Sequence, residues 1–241
     1  MSNNNIPKNS PFEAVHRRLG ARMAEFHGWL LPGDFGNPES ERSALKSRCA
    51  VFDLSGFGRV SIKGPGAERL VASVLSRTSG ALEKGRWIWG AMEEGQIVRA
   101  ARLGDEFFVF SRPEAAGGVL SGLCSAAETL EFSGLSVTDL SSQTAVLGLY
   151  GPGSYESLGQ LLPIEDVKIE LGSISRFSVM VFSFVLLGGS WLGGDGLELL
   201  CPNNLAPLAA GAIAKYHNKH DITPAGMDCL FSELSDMPCP V

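Results

Sequence analysis

At 241 residues, with 44% hydrophobic and 19% charged side chains, the chain has an ordinary globular balance and enough apolar material for a substantial core. A formal net charge of −6 and the lack of any basic run exclude a phosphate-tracking surface, so nucleic acid is not an expected partner. The longest apolar run, 177–187, is too short to span a bilayer, and the polar first ten residues hold no apolar signal region, so no membrane partner is expected. The cysteines (Cys49, Cys124, Cys201, Cys229 and Cys239) are odd in number, far apart and without a Cys-x-x-Cys pair. That pattern argues against disulfides and structural zinc and for a reducing cytoplasm.

Residues 1–11 read as a loose tail. Phe12, Val15, Leu19, Met23 and Phe26 recur at helical spacing and predict a helix from Phe12 to His27. Gly28 to Gly33 reads as a turn with apolar anchors. Asn37-Pro38-Glu39-Ser40 is a helix start, with Glu41 to Cys49 as the short helix. Val51 to Ser55 is extended and leads through Gly56-Phe57-Gly58 into a strand, Arg59 to Lys63.

A repeat then emerges. Val60 to Leu70 reads as strand, Gly-Pro-Gly turn and helix, and Leu147 to Leu158 repeats it 87 residues later. Asp105 to Pro113 precedes an alanine-glycine helix, and Asp195 to Pro202 precedes another, Leu205 to Tyr216, at an offset of 90. Two landmarks in the same order at nearly the same offset indicate an internal duplication. Hairpin strands are expected at Trp87–Met92, Gln96–Arg102 and Asp105–Phe110, and again at Ser173–Phe182, Phe184–Leu187 and Leu197–Leu200. The expected fold is α+β: two similar βαβ-hairpin halves, about 51–130 and 137–220, related by a pseudo-twofold axis with a ligand cleft at their junction.

Few residues are placed for chemistry. His16 and His27 lie in the N-terminal helical region, and His217 and His220 complement a helix C-terminus. No Ser-His-Asp arrangement is legible. The acid pairs Asp34/Glu39, Glu93/Glu94 and Glu165/Asp166 sit in loop-like settings and read as solvated. Asp53 reads as a structural cap or bridge. The stretch Gly188 to Pro202 is different: a glycine-dense loop with one large aromatic, Trp191, runs into an apolar strand with one carboxylate, Glu198. On a strand, Leu197 and Leu199 share one face and Glu198 and Leu200 the other. Either Glu198 points to water in a plain hairpin, or it lines a site. In the second case it can accept two parallel N–H bonds from a flat heterocycle, with Trp191 as wall or stacking surface.

These residues together resemble the glycine-cleavage T-protein (aminomethyltransferase) family, which binds tetrahydrofolate. Leu19-Gly20-Ala21-Arg22-Met23 through Phe26-His27-Gly28-Trp29-Leu30-Leu31-Pro32 is similar to the family's opening. Val51 to Val60 is similar to its "FDVSHMG" segment, and both Gly-Pro turns and the Gly-Asp-Gly-Leu-Glu strand fit. The resemblance covers Phe12 to about Glu233. It implies an aminomethyltransferase folate-binding-domain-like fold over 12–241, in a short member lacking the family's C-terminal barrel domain.

The resemblance also implies site residues. Glu198 stands where the family's pterin-binding glutamate does, Trp191 replaces its tyrosine, Phe57 its folate-facing methionine and Arg112 its asparagine. The position matched to the family's catalytic aspartate is Val119, so no catalytic residue is assigned and standard glycine cleavage is not expected. The "KGCYxGQE" signature of the iron–sulfur-assembly branch is absent. The implied roles are a tetrahydrofolate-dependent methyl or aminomethyl transferase or demethylase acting on a small methylated substrate, and a non-catalytic folate-fold subunit completed by a second protein chain. A scaffold that has lost folate is the third. No metal is implied.

Overall fold

The computed structural model of the protein describes residues 6–161, 169–179, 182–216, 222–238 and 240. In chain order the elements are β1 (Lys8–Asn9), α1 (Glu13–Arg18), β2 (Arg22–Phe26), β3 (Trp29–Asp34), α2 (Pro38–Ser47), β4 (Cys49–Asp53), β5 (Gly58–Lys63), α3 (Ala67–Val74) and β6 (Leu75–Thr78). Then come β7 (Arg86–Met92), β8 (Ile97–Leu103), β9 (Glu106–Ser111), α4 (Ala116–Leu130), β10 (Ser136–Asp139), β11 (Thr144–Tyr150) and α5 (Ser154–Leu161). The chain continues through β12 (Ile174–Val179), β13 (Phe182–Gly188), β14 (Gly196–Pro202), α6 (Ala206–Tyr216), β15 (Ile222–Pro224) and α7 (Met227–Ser235).

Local chemistry explains where α2 begins. At α2, the Asn37 side chain accepts from the Ser40 backbone N–H at 3.1 Å, and Pro38 occupies the first turn, where its missing N–H has no cost. Asn37→Ala should therefore lower stability by about 1 kcal/mol in urea unfolding, with an unchanged denaturant slope.

The expected helix over Phe12–His27 is instead a short helix followed by a hairpin. α1 stops at Arg18, and β2 pairs antiparallel with β3, from Phe26 opposite Trp29 to Arg22 opposite Asp34. The apolar spacing alone could not separate the two readings; the turn does. His27 has φ 49° and Gly28 φ 81°, the two left-handed residues of a tight hairpin whose twist suits the flanking strands. The expected turn at Gly28–Gly33 is thus mostly strand β3. Part of the expected tail is ordered too: Lys8 and Asn9 pair in parallel with Trp29 and Leu30. The single strand expected over Ser173–Phe182 is β12, with Phe182 starting β13, and β6, β10, β15 and α7 are additional.

The chain divides into two compact units, one of Met1–Gly56, Thr144–Leu171 and Phe177–Met237, the other of Phe57–Gln143, Gly172–Arg176 and Pro238–Val241. Among the described residues the sheets number three: a small one ordered β1-β3-β2 and two of six strands, β12-β13-β14-β11-β4-β15 and β10-β5-β9-β8-β7-β6. The duplication is visible in the strand order. β5-β9-β8-β7 in one sheet matches β11-β14-β13-β12 in the other, each with a helix after its first strand and another after its last hairpin strand. Leu147, Leu149, Leu197, Leu199 and Leu205 meet Phe12, Val51 and Phe184 in the first unit's core. Val60, Ile62, Val98, Val109 and Phe107 pack on Leu70, Val119 and Leu123 of the helices in the second. Among the described residues, no helix is long and apolar enough to cross a membrane.

Candidate functional site

β13 and β14 flank the glycine-rich loop. The Gly189 N–H donates to the Gly196 carbonyl at 2.6 Å and closes the loop base; Gly193 N–H to the Ser190 carbonyl at 3.1 Å tightens its tip. The alternation then acts as the sequence predicts. Leu197, Leu199 and Cys201 enter the core, and Glu198 lies on the opposite face. Glu198 does not point to water: it is 2% exposed. Its Oε1 accepts from the Tyr150 hydroxyl at 2.5 Å, and the Tyr150 oxygen accepts from the Trp191 backbone N–H at 3.4 Å. The contact follows from register. Gly148 of β11 sits directly opposite Glu198, so Tyr150, two residues on, reaches it diagonally.

The structure thus brings Trp191 and Glu198 together through Tyr150, a residue that sequence reasoning did not single out. Trp191 is 1% exposed and forms a buried wall of the loop rather than an open face. Phe57 and Arg112 belong to the other unit. Phe57 is buried, and its carbonyl accepts from the Arg59 guanidinium. Arg112 follows β9, and its Nε is buried without a hydrogen-bond partner among the described residues. Val119 is buried in the α4 core contact, where a carboxylate would sit among apolar side chains.

A second polar cluster gathers at Asp53, which the sequence reads as a structural cap or bridge without naming its partners. Asp53 is buried at the end of β4. Its Oδ2 accepts from the Ser10 hydroxyl and lies 2.9 Å from His16 Nε2, while Oδ1 accepts from the Ser55 N–H at 2.9 Å. The order is Ser–Asp–His, so the hydroxyl is next to the acid and not to the imidazole. This is a bridge that ties α1 and its leading turn to the sheet, not a nucleophile and base. No local signal marks it, because Ser10 and His16 precede Asp53 by 43 and 37 residues.

The other acids separate by environment. Asp34, expected to be solvated, is buried on β3 and paired with Arg22, Nη2 to Oδ2 at 2.7 Å. The Arg22 hydrogen bond holds its carboxyl below the ordinary value. Glu39, Glu93 and Glu94 are exposed as expected, and His27 is exposed in its turn. Glu165, Asp166, His217 and His220 lie outside the described residues. Glu41, not singled out from sequence, is buried on α2 and accepts from the Phe35 N–H at 2.7 Å and the Gly226 N–H at 2.9 Å.

Asp53 and Glu41 act on stability with opposite signs. Burial raises the Asp53 carboxyl, but the hydrogen bond and charge of His16, with Ser10 and Ser55, outweigh it and hold the group below its ordinary value. Its contribution is complete above the unfolded value, about 3.9, and is lost as pH falls through the folded one. Burial holds Glu41 above its ordinary value despite the two amide donors. Its contribution is complete in acid and is lost as pH rises through the folded value. Asp53→Asn should therefore flatten the fall in unfolding free energy below about pH 4, read by urea titration at each pH.

Comparisons with known proteins bear on the family and the fold. The family profile described as GCVT N-terminal domain matches residues 12–233. An aminomethyltransferase of Mycobacterium tuberculosis is 30% identical over 238 residues, covering 96% of this chain and 63% of that protein. One from Mycobacterium leprae is 32% identical over 240 residues, with the same coverages of 96% and 63%. The chain therefore spans somewhat under two thirds of these relatives. Among solved structures, glycine cleavage system aminomethyltransferase T from Bartonella henselae superposes with a TM-score of 0.79 at 20% identity, over 94% of this chain and 62% of that one. A chain of heterotetrameric sarcosine oxidase from Corynebacterium sp. U-96 gives 0.57 at 14% identity, over 88% and 95%. The fold is shared with both, and on the profile match over nearly its whole length the chain belongs to the GCVT N-terminal domain family.

Proposed function

We propose that this chain is a tetrahydrofolate-binding protein of one-carbon metabolism, working in the cytoplasm as a component of a methyl or aminomethyl transferase or a demethylase for a small methylated substrate. The observation that carries the reading is Glu198, a carboxylate buried on β14 and held by a tyrosine hydroxyl, in a chain of the aminomethyltransferase family. A carboxylate is the acceptor that the amidine-like edge of a pterin, with two parallel N–H donors, calls for. The chemistry of the acceptor fits the group.

When bound, tetrahydrofolate supplies the N5 atom that takes up the one-carbon unit. Glu198 holds the pterin edge, and Trp191 keeps water from behind the loop. Phe57 and Arg112 are assigned as contacts from the family resemblance. With Val119 in the core, this chain's contribution is positioning of donor and acceptor rather than proton transfer by a carboxylate there. The test is a tetrahydrofolate-dependent rise in melting temperature that needs Glu198.

A second reading is a non-catalytic folate-fold subunit of a multi-chain amine oxidase or demethylase, favoured by the likeness to a chain of heterotetrameric sarcosine oxidase. It expects co-purification with a larger partner and no turnover of methylated amines by the isolated chain. Turnover by the isolated chain would exclude it.

A further inference from the structure

We infer that Tyr150 is a positioning residue for ligand binding at Glu198, a role that rests on the tetrahydrofolate reading and deepens it. Tyr150 is fully buried at the end of β11, just before the Gly-Pro-Gly turn. Its hydroxyl uses both of its capacities, donating to Glu198 Oε1 at 2.5 Å and accepting from the Trp191 N–H at 3.4 Å. The ring has a seat made for it. A Cβ on Gly196 would lie 2.9 Å from Tyr150 Cδ1, and one on Gly148 would lie 3.0 Å from its Cε1. Phe52 closes the seat, with ring centroids 5.5 Å apart.

The terminal torsion of a glutamate is soft, so an unsupported carboxylate rotates through a broad range of planes. A charge-assisted bond from a phenol that cannot itself move fixes that plane before ligand arrives. Tyr150 also bonds the backbone of Trp191, so one hydroxyl touches both the glycine-rich loop and the acid. A ligand edge with two parallel N–H groups gains from such fixing more than a single donor does, since both oxygens must face it at once.

The test uses the full chain and tetrahydrofolate itself. Calorimetric titration of wild type is compared with Tyr150→Phe, which keeps the ring in its seat and removes the hydroxyl. Asn37→Ala serves as a control that loses stability away from Glu198. The expected result is a Kd roughly tenfold or more higher for Tyr150→Phe and unchanged for Asn37→Ala. In proton NMR, the Tyr150 hydroxyl resonance, assigned by its loss in Tyr150→Phe, should shift when tetrahydrofolate is added to wild type. A purely structural tyrosine would lower the melting temperature without moving either readout. Equal affinity in wild type and Tyr150→Phe overturns the role of Tyr150 and leaves the tetrahydrofolate reading standing; no binding by wild type overturns both. If Tyr150→Phe does not fold, the resonance is assigned through tyrosine labelled with isotope, and an unmoved hydroxyl on ligand addition overturns the role.

Discussion

Asp53→Ala lowers the free energy of unfolding by about 3–5 kcal/mol, since it leaves three buried groups without their acceptor at roughly 1–3 kcal/mol each. The carboxylate is 1% exposed and gathers Ser10, His16 and the Ser55 amide. Alanine leaves all three without that acceptor. Ser10 and His16 are themselves 4% and 8% exposed, so water cannot freely replace the lost bonds. The damage should also spread. α1 and the turn before it are held to β4 through this acid, and Phe12, whose N–H donates to the Ser10 hydroxyl, is part of the first unit's core. Urea unfolding should show a lower midpoint, and hydrogen exchange should show the loss concentrated in α1 and β1. A loss under about 1 kcal/mol would place Asp53 with ordinary surface pairs and contradict the bridge.

Gly226→Ala should cost about 3 kcal/mol, the upper end for overpacking. Its φ of −94° suits any residue, so the cost comes from space alone. A Cβ there would stand 1.9 Å from the Gly33 carbonyl oxygen, 2.2 Å from its carbon and 2.5 Å from the Asp34 nitrogen. All three are backbone atoms of β3, so no side chain can turn away to make room. Moving Gly226 would also stretch its 2.9 Å bond to buried Glu41 and shift the start of α7. The check is the urea midpoint with far-ultraviolet circular dichroism of the folded state. A loss near zero would mean that β3 and the start of α7 stand farther apart than these distances.

The sequence announced what short-range chemistry controls. Asn37-Pro38 starts a helix with its own side chain, and the strand, Gly-Pro-Gly turn and helix at Val60 and Leu147 are local too. Alternation along Leu197 to Leu200 is enough by itself to put Glu198 on the face opposite the core. Where apolar spacing fits two structures, the reading failed: Met23 and Phe26 continue the helical period of Phe12 to Leu19 yet lie on a strand, because His27-Gly28 turns the chain back. The short strands β10 and β15 are too brief to carry a period. Long-range pairs were silent. Tyr150 and Glu198 are 48 residues apart, and nothing in either neighbourhood names the other. Asp34 and Glu41 looked solvated or ordinary because their donors, on Arg22 and on Gly226, come from other elements.

The central claim is that Glu198 holds a folate, and thermal unfolding with tetrahydrofolate tests it most directly. Wild type at a hundred times Kd should gain about 2.7 kcal/mol, which for a chain of this size raises the melting temperature by roughly 5–10 °C. Glu198→Gln keeps the shape and an oxygen for Tyr150, but turns one acceptor into a donor that opposes the pterin edge. It should fold and show no shift. A wild type that melts at the same temperature with and without millimolar tetrahydrofolate, or a Glu198→Gln variant that shifts as much as wild type, would contradict the account.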